Sequence, residues 1–249
     1  MRKLPAIIHR LLILTACLLL SACFDIHEEV WVEQDGSGRA ELRYTVPESA
    51  LRLNGGATGT EKKIRDLITA QPSLILDGVS IETQDKNATI TVRVSTKSML
   101  SLRKLKKSGS LKTLSESTAD IVGHFDVGLR GLDVDFARTV QVGEALGLAS
   151  FAIGSDERKN RRLTYIVHLP KAAKKNNATL VADGGKTLTW DYTLGDAIRS
   201  PINTSFRAAI PIPRYLWAMA AGVLALLVAL TVWATKKIRR LSRRDTSRP

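Results

Sequence analysis

Alternation of apolar and polar residues dominates the chain after residue 24 and predicts a protein rich in β-strands. Ile26, Val30 and Val32 alternate with polar residues, and apolar residues recur at every second position over residues 40–46. This is the period of a half-buried strand. Gln34 to Gly38 lie between these runs and supply turn-forming residues. The two runs therefore predict a β-hairpin.

A helical segment and a second hairpin follow. Pro47-Glu48-Ser49 is typical of a helix start, and Thr60 is the predicted N-cap of a second helix that ends at Gln71-Pro72. Residues 79–83 and 88–94 then alternate on either side of a polar turn. The order strand pair, helices, strand pair predicts an α+β fold with the helices on one face of a sheet.

The second half of the chain is β-rich. Gly143 to Gly154 could be helix or loop, and the charge run Arg158 to Arg162 predicts a solvated loop. The predicted fold class is α+β, a β-rich ectodomain with a few short helices plus one C-terminal transmembrane helix, in which residues 24–97 and 118–213 could form two lobes. Strands are predicted over residues 121–129, 132–142, 163–169, 180–182, 188–192 and 203–210.

The N-terminus carries an export signal. The positive leader contains Arg2, Lys3 and Arg10 and is followed by the apolar run from Leu11 to Leu20. The run ends in Leu20-Ser21-Ala22-Cys23, which matches a bacterial lipobox at every position. Residues 1–22 are therefore predicted to be a lipoprotein signal peptide. The match implies that Cys23 becomes the first residue of the mature chain and carries acyl groups such as palmitate. The alternative is an ordinary signal peptide in which Cys23 is incidental.

The C-terminus predicts a membrane span. Residues 215–235 hold no ionisable side chain except the Tyr215 hydroxyl, and about 20 such residues cross a bilayer. The span is assigned to 214–235 and the basic tail to 236–249, which the positive-inside rule places in the cytoplasm. The alternative is a buried core helix. The tail contains Lys236, Lys237, Arg239, Arg240, Arg243, Arg244 and Arg248.

Charge does not indicate a nucleic-acid partner. The formal net charge is +13, but most of the excess lies in the leader and in the tail, next to the predicted membrane segments. The predicted location is the bacterial cytoplasmic (inner) membrane, with residues 23–213 as the extracytoplasmic domain. The bilayer, reached through Cys23 and the helix from Tyr215 to Thr235, is the predicted partner.

A basic amphipathic stretch follows residue 98. Its apolar and basic side chains favour contact with bilayer headgroups, since the domain is tethered at both ends. The alternative is a surface helix or a connector between two lobes. The membrane-contact residues are predicted to be Met99, Leu102, Arg103, Lys104, Leu105, Lys106 and Lys107.

Motifs for cofactor chemistry are absent from the sequence. His27-Glu28 begins like the zinc motif H-E-x-x-H, but Trp31 occupies the position of the second histidine. Cys17 leaves with the leader and Cys23 is the acylation site, so no thiol is left for a disulfide, a zinc cluster or a thiolate nucleophile. We therefore predict no cofactor.

One acidic hairpin is a candidate cation site or acid/base pair. If Arg130-Gly131 is a two-residue turn, Asp126 lies opposite Asp135, with His124 and Asp133 nearby. Facing carboxylates could bind calcium or share a proton. The alternative, which the clean alternation favours, is the solvated face of an amphipathic hairpin.

Two stretches resemble the LppM-like family of bacterial lipoproteins: residues 23–42 with Asp35-Gly36-Ser37-Gly38, and residues 168–190 with His168-Leu169-Pro170, Asn176-Asn177, Asp183-Gly184-Gly185 and Trp190. Lys171 departs from the pattern. The resemblance implies an envelope-anchored α+β ectodomain, with lipid-related or host-surface roles in some members, and it implies no catalytic residues. The Asp183-Gly184-Gly185 segment predicts a turn, and Trp190 is a predicted core residue.

We predict a non-catalytic module that binds lipid, glycolipid or an envelope partner. One alternative is an assembly or signalling subunit that works through its span and tail. The other is a metal-dependent enzyme built on the Asp126/Asp135 face.

Overall fold

The computed structural model describes residues 25–52, 55–102, 123–147, 150 and 153–210, with residues 219, 221–228 and 231 of the C-terminal segment. The chain divides after Pro211 into two units. The predicted leader with Cys23, and Arg103, Lys104, Leu105, Lys106 and Lys107 of the predicted membrane-contact stretch, lie outside the described residues.

The N-terminal unit contains short helices between longer strands, as predicted for an α+β protein. In chain order its elements are β1 (Asp25–Val32), β2 (Gly38–Pro47), α1 (Glu48–Arg52), α2 (Gly56–Thr69), β3 (Ile75–Gln84), β4 (Asn87–Thr96), β5 (His124–Arg130), β6 (Asp133–Val140), α3 (Val142–Leu146), α4 (Ser155–Asn160), β7 (Arg162–His168), β8 (Lys175–Asn176), β9 (Leu180–Ala182), β10 (Thr187–Thr193), α5 (Leu194–Arg199) and β11 (Ile202–Ala209).

The larger sheet has seven strands in the order β3-β4-β2-β1-β7-β10-β9. β1 pairs in parallel with β7, whereas its other neighbour, β2, is antiparallel. Because β1 and β7 belong to the two halves that could have formed separate lobes, strands of both halves lie in this one sheet.

The smaller sheet has four strands in the order β5-β6-β11-β8 and packs against the larger one. The apolar core between the sheets includes the fully buried side chains of Ile26, Leu163, Leu188, Trp190 and Ile202. A second apolar cluster joins helices α1 and α2 to β3 and β4. One face of the large sheet is thus covered by helices at one end and by the small sheet at the other.

The predicted hairpins are confirmed, but the start of the second helix is not where it was predicted. The β3–β4 turn places Asp85 and Lys86 at φ 50° and 63°, the pattern of a type I′ turn, which suits the twist of a hairpin. Helix α2 begins at Gly56, and its N-cap is Gly55 in the left-handed conformation. Thr60 therefore lies inside the helix, since glycine takes that conformation at little cost.

The prediction of a solvated loop for the charge run Arg158 to Arg162 is wrong. Arg158 lies in α4 and donates from its guanidinium to the backbone oxygens of Ile153 (3.1 Å) and Ser150 (2.8 Å). Arg161 donates to Asp25 at 2.9 Å, and Arg162 forms an ion pair with Asp191. The carboxylates of Asp25 and Asp191 come from strands β1 and β10, which are distant in sequence. The pattern of residues within the charge run could not indicate these partners.

Residues 219, 221–228 and 231 of the C-terminal unit are helical. Within the described part of the chain, no helix combines the length and the apolar character needed to cross a membrane. Most of the predicted span from Tyr215 to Thr235 lies outside that part, so the span stays a prediction from the sequence.

Candidate functional site: a cavity between the sheets

A cavity of about 250 Å³ lies between the inner faces of the two sheets. Apolar side chains form most of its wall, with Val30 and Leu42 on the large sheet and Phe125, Phe136 and Phe206 on the small one. Ligand pockets in proteins typically measure about 300–1,000 Å³. The cavity therefore suits a small apolar ligand or one segment of a longer chain.

The cavity is partly open to solvent, so water can enter it when no ligand is bound. An apolar occupant would displace that water from the apolar walls. Burial of apolar surface contributes about 25 cal/mol per Å², so such an occupant would bind through the hydrophobic effect and stabilise the folded state.

A buried ion pair joins the two sheets at the cavity wall. Glu28 lies on β1 and Arg138 on β6, and their residues are only 4% and 9% exposed. Both terminal nitrogens of Arg138 donate to the Glu28 carboxylate, and Nη2 lies 3.2 Å from Oε1. The Tyr44 hydroxyl donates to the same Oε1 at 2.7 Å. This bidentate arrangement uses the planar fork that guanidinium offers to a carboxylate.

Aromatic rings and burial set the electrostatics of this pair. The Arg138 guanidinium carbon lies 5.1 Å from the Phe125 ring centre and 4.9 Å from that of Tyr165, within the range of cation–π attraction. Burial works against the charge of Arg138, but the charge and hydrogen bonds of Glu28, together with the nearby Tyr165 and Tyr44, outweigh it and leave the pKa of Arg138 above its usual range. Burial, and then the Glu28 charge, raise the pKa of Tyr44.

Tyr165 lines the cavity, and its hydroxyl is the one side-chain polar group of the lining residues that is buried and has no hydrogen-bond partner within the described part of the chain. Tyr165 is 4% exposed, and burial, with Glu28 nearby, raises its pKa. A buried polar group without a partner costs about 1–3 kcal/mol. A ligand atom that bonds this hydroxyl would remove that cost.

Met99 and Leu102 also line the cavity. Residues 99–102 form a single 3-10 turn, which the Met99 amide ties to the Gly36 oxygen at 2.9 Å. The Met99 sulfur sits directly above Gly38, where a methyl group would overlap it. These two side chains thus lie at the cavity, because the chain turns back over the β1–β2 turn, and their contact with headgroups stays a prediction.

The register predicted for the acidic hairpin is wrong. Asp126 pairs with Ala137, and Asp135 pairs with Gly128, so the two carboxylates are not opposite each other. The two-residue turn is Gly131-Leu132 rather than Arg130-Gly131, and Gly131 has a φ of 62°. A positive φ at the first turn position is the mark of a type II′ turn, which favours glycine there. The turn therefore sits one residue later than predicted.

Basic side chains neutralise the acids of this hairpin. Asp135 binds the Arg207 guanidinium and lies 3.5 Å from that of Arg130, and the bond from Arg207 lowers the pKa of Asp135. Asp133 binds the Lys174 ammonium at 2.7 Å, while His124 begins β5 at the end away from the turn. In the described ranges, no three His, Cys, Asp or Glu side chains lie close enough together to hold a metal ion.

Glu28 and Arg138 are the functional candidates that our sequence analysis missed. Glu28 stands on the same side of β1 as Ile26 and Val30, and Arg138 on the same side of β6 as Phe136 and Val140. The sequence does contain a signal for this pair: each of the two strands has one charged residue on its apolar side, and the two charges have opposite signs. Only the fold brings them together, since they are 110 positions apart.

Trp190 is confirmed as a core residue, being 1% exposed. Its Nε1 donates to the Asn177 side-chain oxygen at 2.8 Å, and the same oxygen accepts from the Ser205 amide at 2.7 Å. Asn177 therefore fixes the cavity-lining indole against the small sheet.

Comparison with known proteins found one similar solved structure. The NMR structure of the folded domain of LppM from Mycobacterium tuberculosis is 13% identical, with a TM-score of 0.46, over 78% of this chain and 94% of that chain. No protein-family model matches the sequence, and no curated protein does either. Membership of the LppM-like family stays a prediction.

Proposed function

We propose that the protein is a membrane-anchored bacterial lipoprotein whose extracytoplasmic domain binds an acyl chain and has no catalytic role of its own. The observation that carries this proposal is the apolar cavity, which Tyr165 lines and next to which its buried hydroxyl has no bonding partner among the described residues. Apolar pockets with a few placed polar groups are the usual form of small-molecule sites.

The polar groups at the cavity favour a neutral ligand group over an anionic one. The charge of Arg138 is balanced by Glu28 within the wall, so the pair presents no net charge to an occupant. A free fatty-acid carboxylate would be buried without a counter-charge, which costs far more than burying an ester. The ligand we propose is therefore an acyl ester or amide, as in a phospholipid or glycolipid, with its carbonyl oxygen accepting from Tyr165.

The anchoring part of the proposal rests on sequence. Acyl groups on Cys23 and a helix from Tyr215 to Thr235 would hold the two ends of the domain at the inner membrane, with the tail from Lys236 in the cytoplasm. A domain held at a bilayer has its proposed ligand beside it.

The test is a comparison of two tyrosine variants in the domain of residues 25–210. A polarity-sensitive dye in the cavity is displaced with a monoacylglycerol and, separately, with a linear alkane that has no acceptor. We expect Tyr165→Phe to weaken the monoacylglycerol about five- to tenfold, the value of one hydrogen bond of about 1 kcal/mol, and to leave the alkane unchanged. Tyr192→Phe, which removes a hydroxyl outside the cavity wall, is the matched control.

Native mass spectrometry of the full chain from membranes supplies the second arm. A bound lipid on the wild-type chain supports the proposal. A chain without lipid, together with failure of both competitors to displace the dye, would overturn it. If that chain instead retains a membrane protein in fixed ratio after cross-linking, the assembly or signalling hypothesis replaces lipid binding.

A further inference from the structure

Two leucines are exposed at the tip of the β5–β6 hairpin. Leu132, in the turn, is 70% exposed, and Leu129 is 47% exposed. Arg130 lies between them in sequence, with a side chain that is 72% exposed. A single exposed leucine needs no explanation. Two leucines beside an exposed arginine at the end of one hairpin form a small amphipathic projection, which we call the tip (residues 129–132).

The chain leaves the N-terminal unit beside this tip. The Ile210 amide donates to the Leu132 oxygen at 2.8 Å, so the last described residue of the unit is held against the hairpin turn. Tyr215 begins the predicted span five residues later. An extended chain covers at most about 3.6 Å per residue, or roughly 18 Å for this stretch. The tip therefore lies within that reach of the point where the predicted span would enter the bilayer.

Charge around the tip is slightly positive. Four basic residues surround the base of the tip, against the three acids of the hairpin, so the excess is one positive charge; the basic residues are Arg130, Lys174, Lys175 and Arg207, and the acids are Asp126, Asp133 and Asp135. Lys174 and Lys175 are exposed, and Lys175 is the register partner of Arg207 on β11. Basic residues near an anionic membrane surface are attracted to it.

We propose that the tip inserts Leu129 and Leu132 into the headgroup region of the bilayer that the predicted span crosses, with the surrounding basic residues on anionic phospholipids. This inference rests on the membrane anchoring proposed above and does not depend on the cavity having a ligand. Moving these exposed leucine side chains out of water favours the contact through the hydrophobic effect. Such weak contacts suffice for a domain that is already tethered to the surface.

The tip is a better membrane contact than the Met99 and Leu102 side chains. Those two side chains line the cavity, whereas the tip leucines are turned to solvent and lie at the exit of the chain.

The experiment places a fluorophore at the tip of the full chain in vesicles of phosphatidylcholine with a minority of phosphatidylglycerol. Leu132→Cys is labelled with an NBD group and quenched by lipids that carry a nitroxide near the headgroup. Leu180→Cys is the matched control, because Leu180 is a similarly exposed leucine, 61%, on strand β9 of the other sheet. The parent chain, labelled in parallel, corrects for reaction at native cysteines.

We expect severalfold stronger quenching at position 132 than at position 180, and weaker quenching at 132 when Arg130→Gln is added or phosphatidylglycerol is omitted. Equal quenching at both positions, in a chain that alkaline carbonate does not extract, overturns the tip contact and leaves the anchoring intact. Extraction of the chain by carbonate overturns the anchoring and the tip contact together, while dye displacement from the cavity tests lipid binding separately.

Discussion

Replacing Arg138 with methionine should destabilise the domain severely, because it leaves the Glu28 carboxylate buried with only the Tyr44 hydroxyl as a described hydrogen-bond donor. In the wild type, Glu28 accepts from both terminal nitrogens of Arg138 and from Tyr44. Methionine keeps most of the apolar volume of the side chain, so the change is mainly one of charge.

The expected magnitude follows from burial. Removing one member of a buried ion pair costs about 3–5 kcal/mol, because the other charge stays in a medium of low polarity. Loss of the cation–π contacts to Phe125 and Tyr165 adds about 0.5–2 kcal/mol. With a urea m-value of about 2 kcal/mol per molar, the unfolding midpoint should fall by roughly 2–3.5 M.

Urea unfolding of residues 25–210, followed by circular dichroism, measures this. The decisive variant is Glu28→Gln combined with Arg138→Met, which removes both charges but keeps an acceptor for Tyr44. Replacing a whole buried pair is often nearly neutral, so the double variant should recover most of the loss. Arg207→Met is the control for deleting an arginine from a more exposed pair, and it should lower the unfolding midpoint far less than Arg138→Met does.

Two results would refute this reasoning. A loss below about 1 kcal/mol in Arg138→Met, the value of a surface pair, would mean that water reaches Glu28. A double variant as unstable as the single one would mean that Arg138 acts through packing and not through the charge of its partner.

Four further predictions concern separate parts of the chain. Cys23→Ser should abolish acylation, seen by mass spectrometry of the mature N-terminus, yet leave the protein in the membrane fraction because a span alone is effectively irreversible; an unmodified Cys23 in the wild type would refute the lipobox. Gly123→Ala should lower the unfolding free energy by about 1–3 kcal/mol, since Gly123 has a φ of 82° and a Cβ there would lie 2.6 Å from the Thr139 oxygen. Gly154→Ala, where φ is −63° and the space is open, should cost less than about 1 kcal/mol, because alanine meets no overlap there and is only a poorer N-cap than glycine; equal losses at both glycines would contradict this. The bond from Arg162 lowers the pKa of Asp191, so its stabilisation is present above the unfolded pKa and is lost as pH falls below about 4; unfolding curves of Asp191→Asn should lack this part of the acid dependence. Changing Arg103, Lys104, Lys106 and Lys107 to Gln should reduce flotation of residues 24–214 on anionic vesicles at low salt, and unaltered flotation would make that stretch a connector only.

The strands could be predicted because their signal is local. Alternation over residues 26–32 and 40–46 defines β1 and β2 to within a few residues, and Trp190 was recognised as core from its place on an alternating strand. The turn at Gly131-Leu132 was misplaced by one residue, because Gly131 suits a two-residue turn at either position and only the pairing of Arg130 with Asp133 separates the two.

The cavity could not be predicted, because its wall comes from strands that are distant in sequence. Glu28 and Arg138 meet only when the small sheet packs on the large one, and no periodicity records that contact. The Tyr165 hydroxyl is a candidate because it has no hydrogen-bond partner among the described residues. A sequence does not show which buried polar groups have no hydrogen-bond partner in the fold. For the same reason the acids of β5 and β6 suggested a cation site, although Arg207 and Lys174, from other parts of the chain, bind two of them.

The parallel pairing of β1 with β7 has a consequence for the time at which the domain can fold. β1 lies in the middle of the large sheet, and its partner β7 begins only at Arg162. A chain that emerges from its N-terminus must keep one long edge of β1 open until that strand arrives, and open edges recruit other strands. Pairing over such separations is intrinsically slow. The nascent protein therefore passes through a stage in which two-thirds of its length is available and its central strand is still an unprotected template for aggregation.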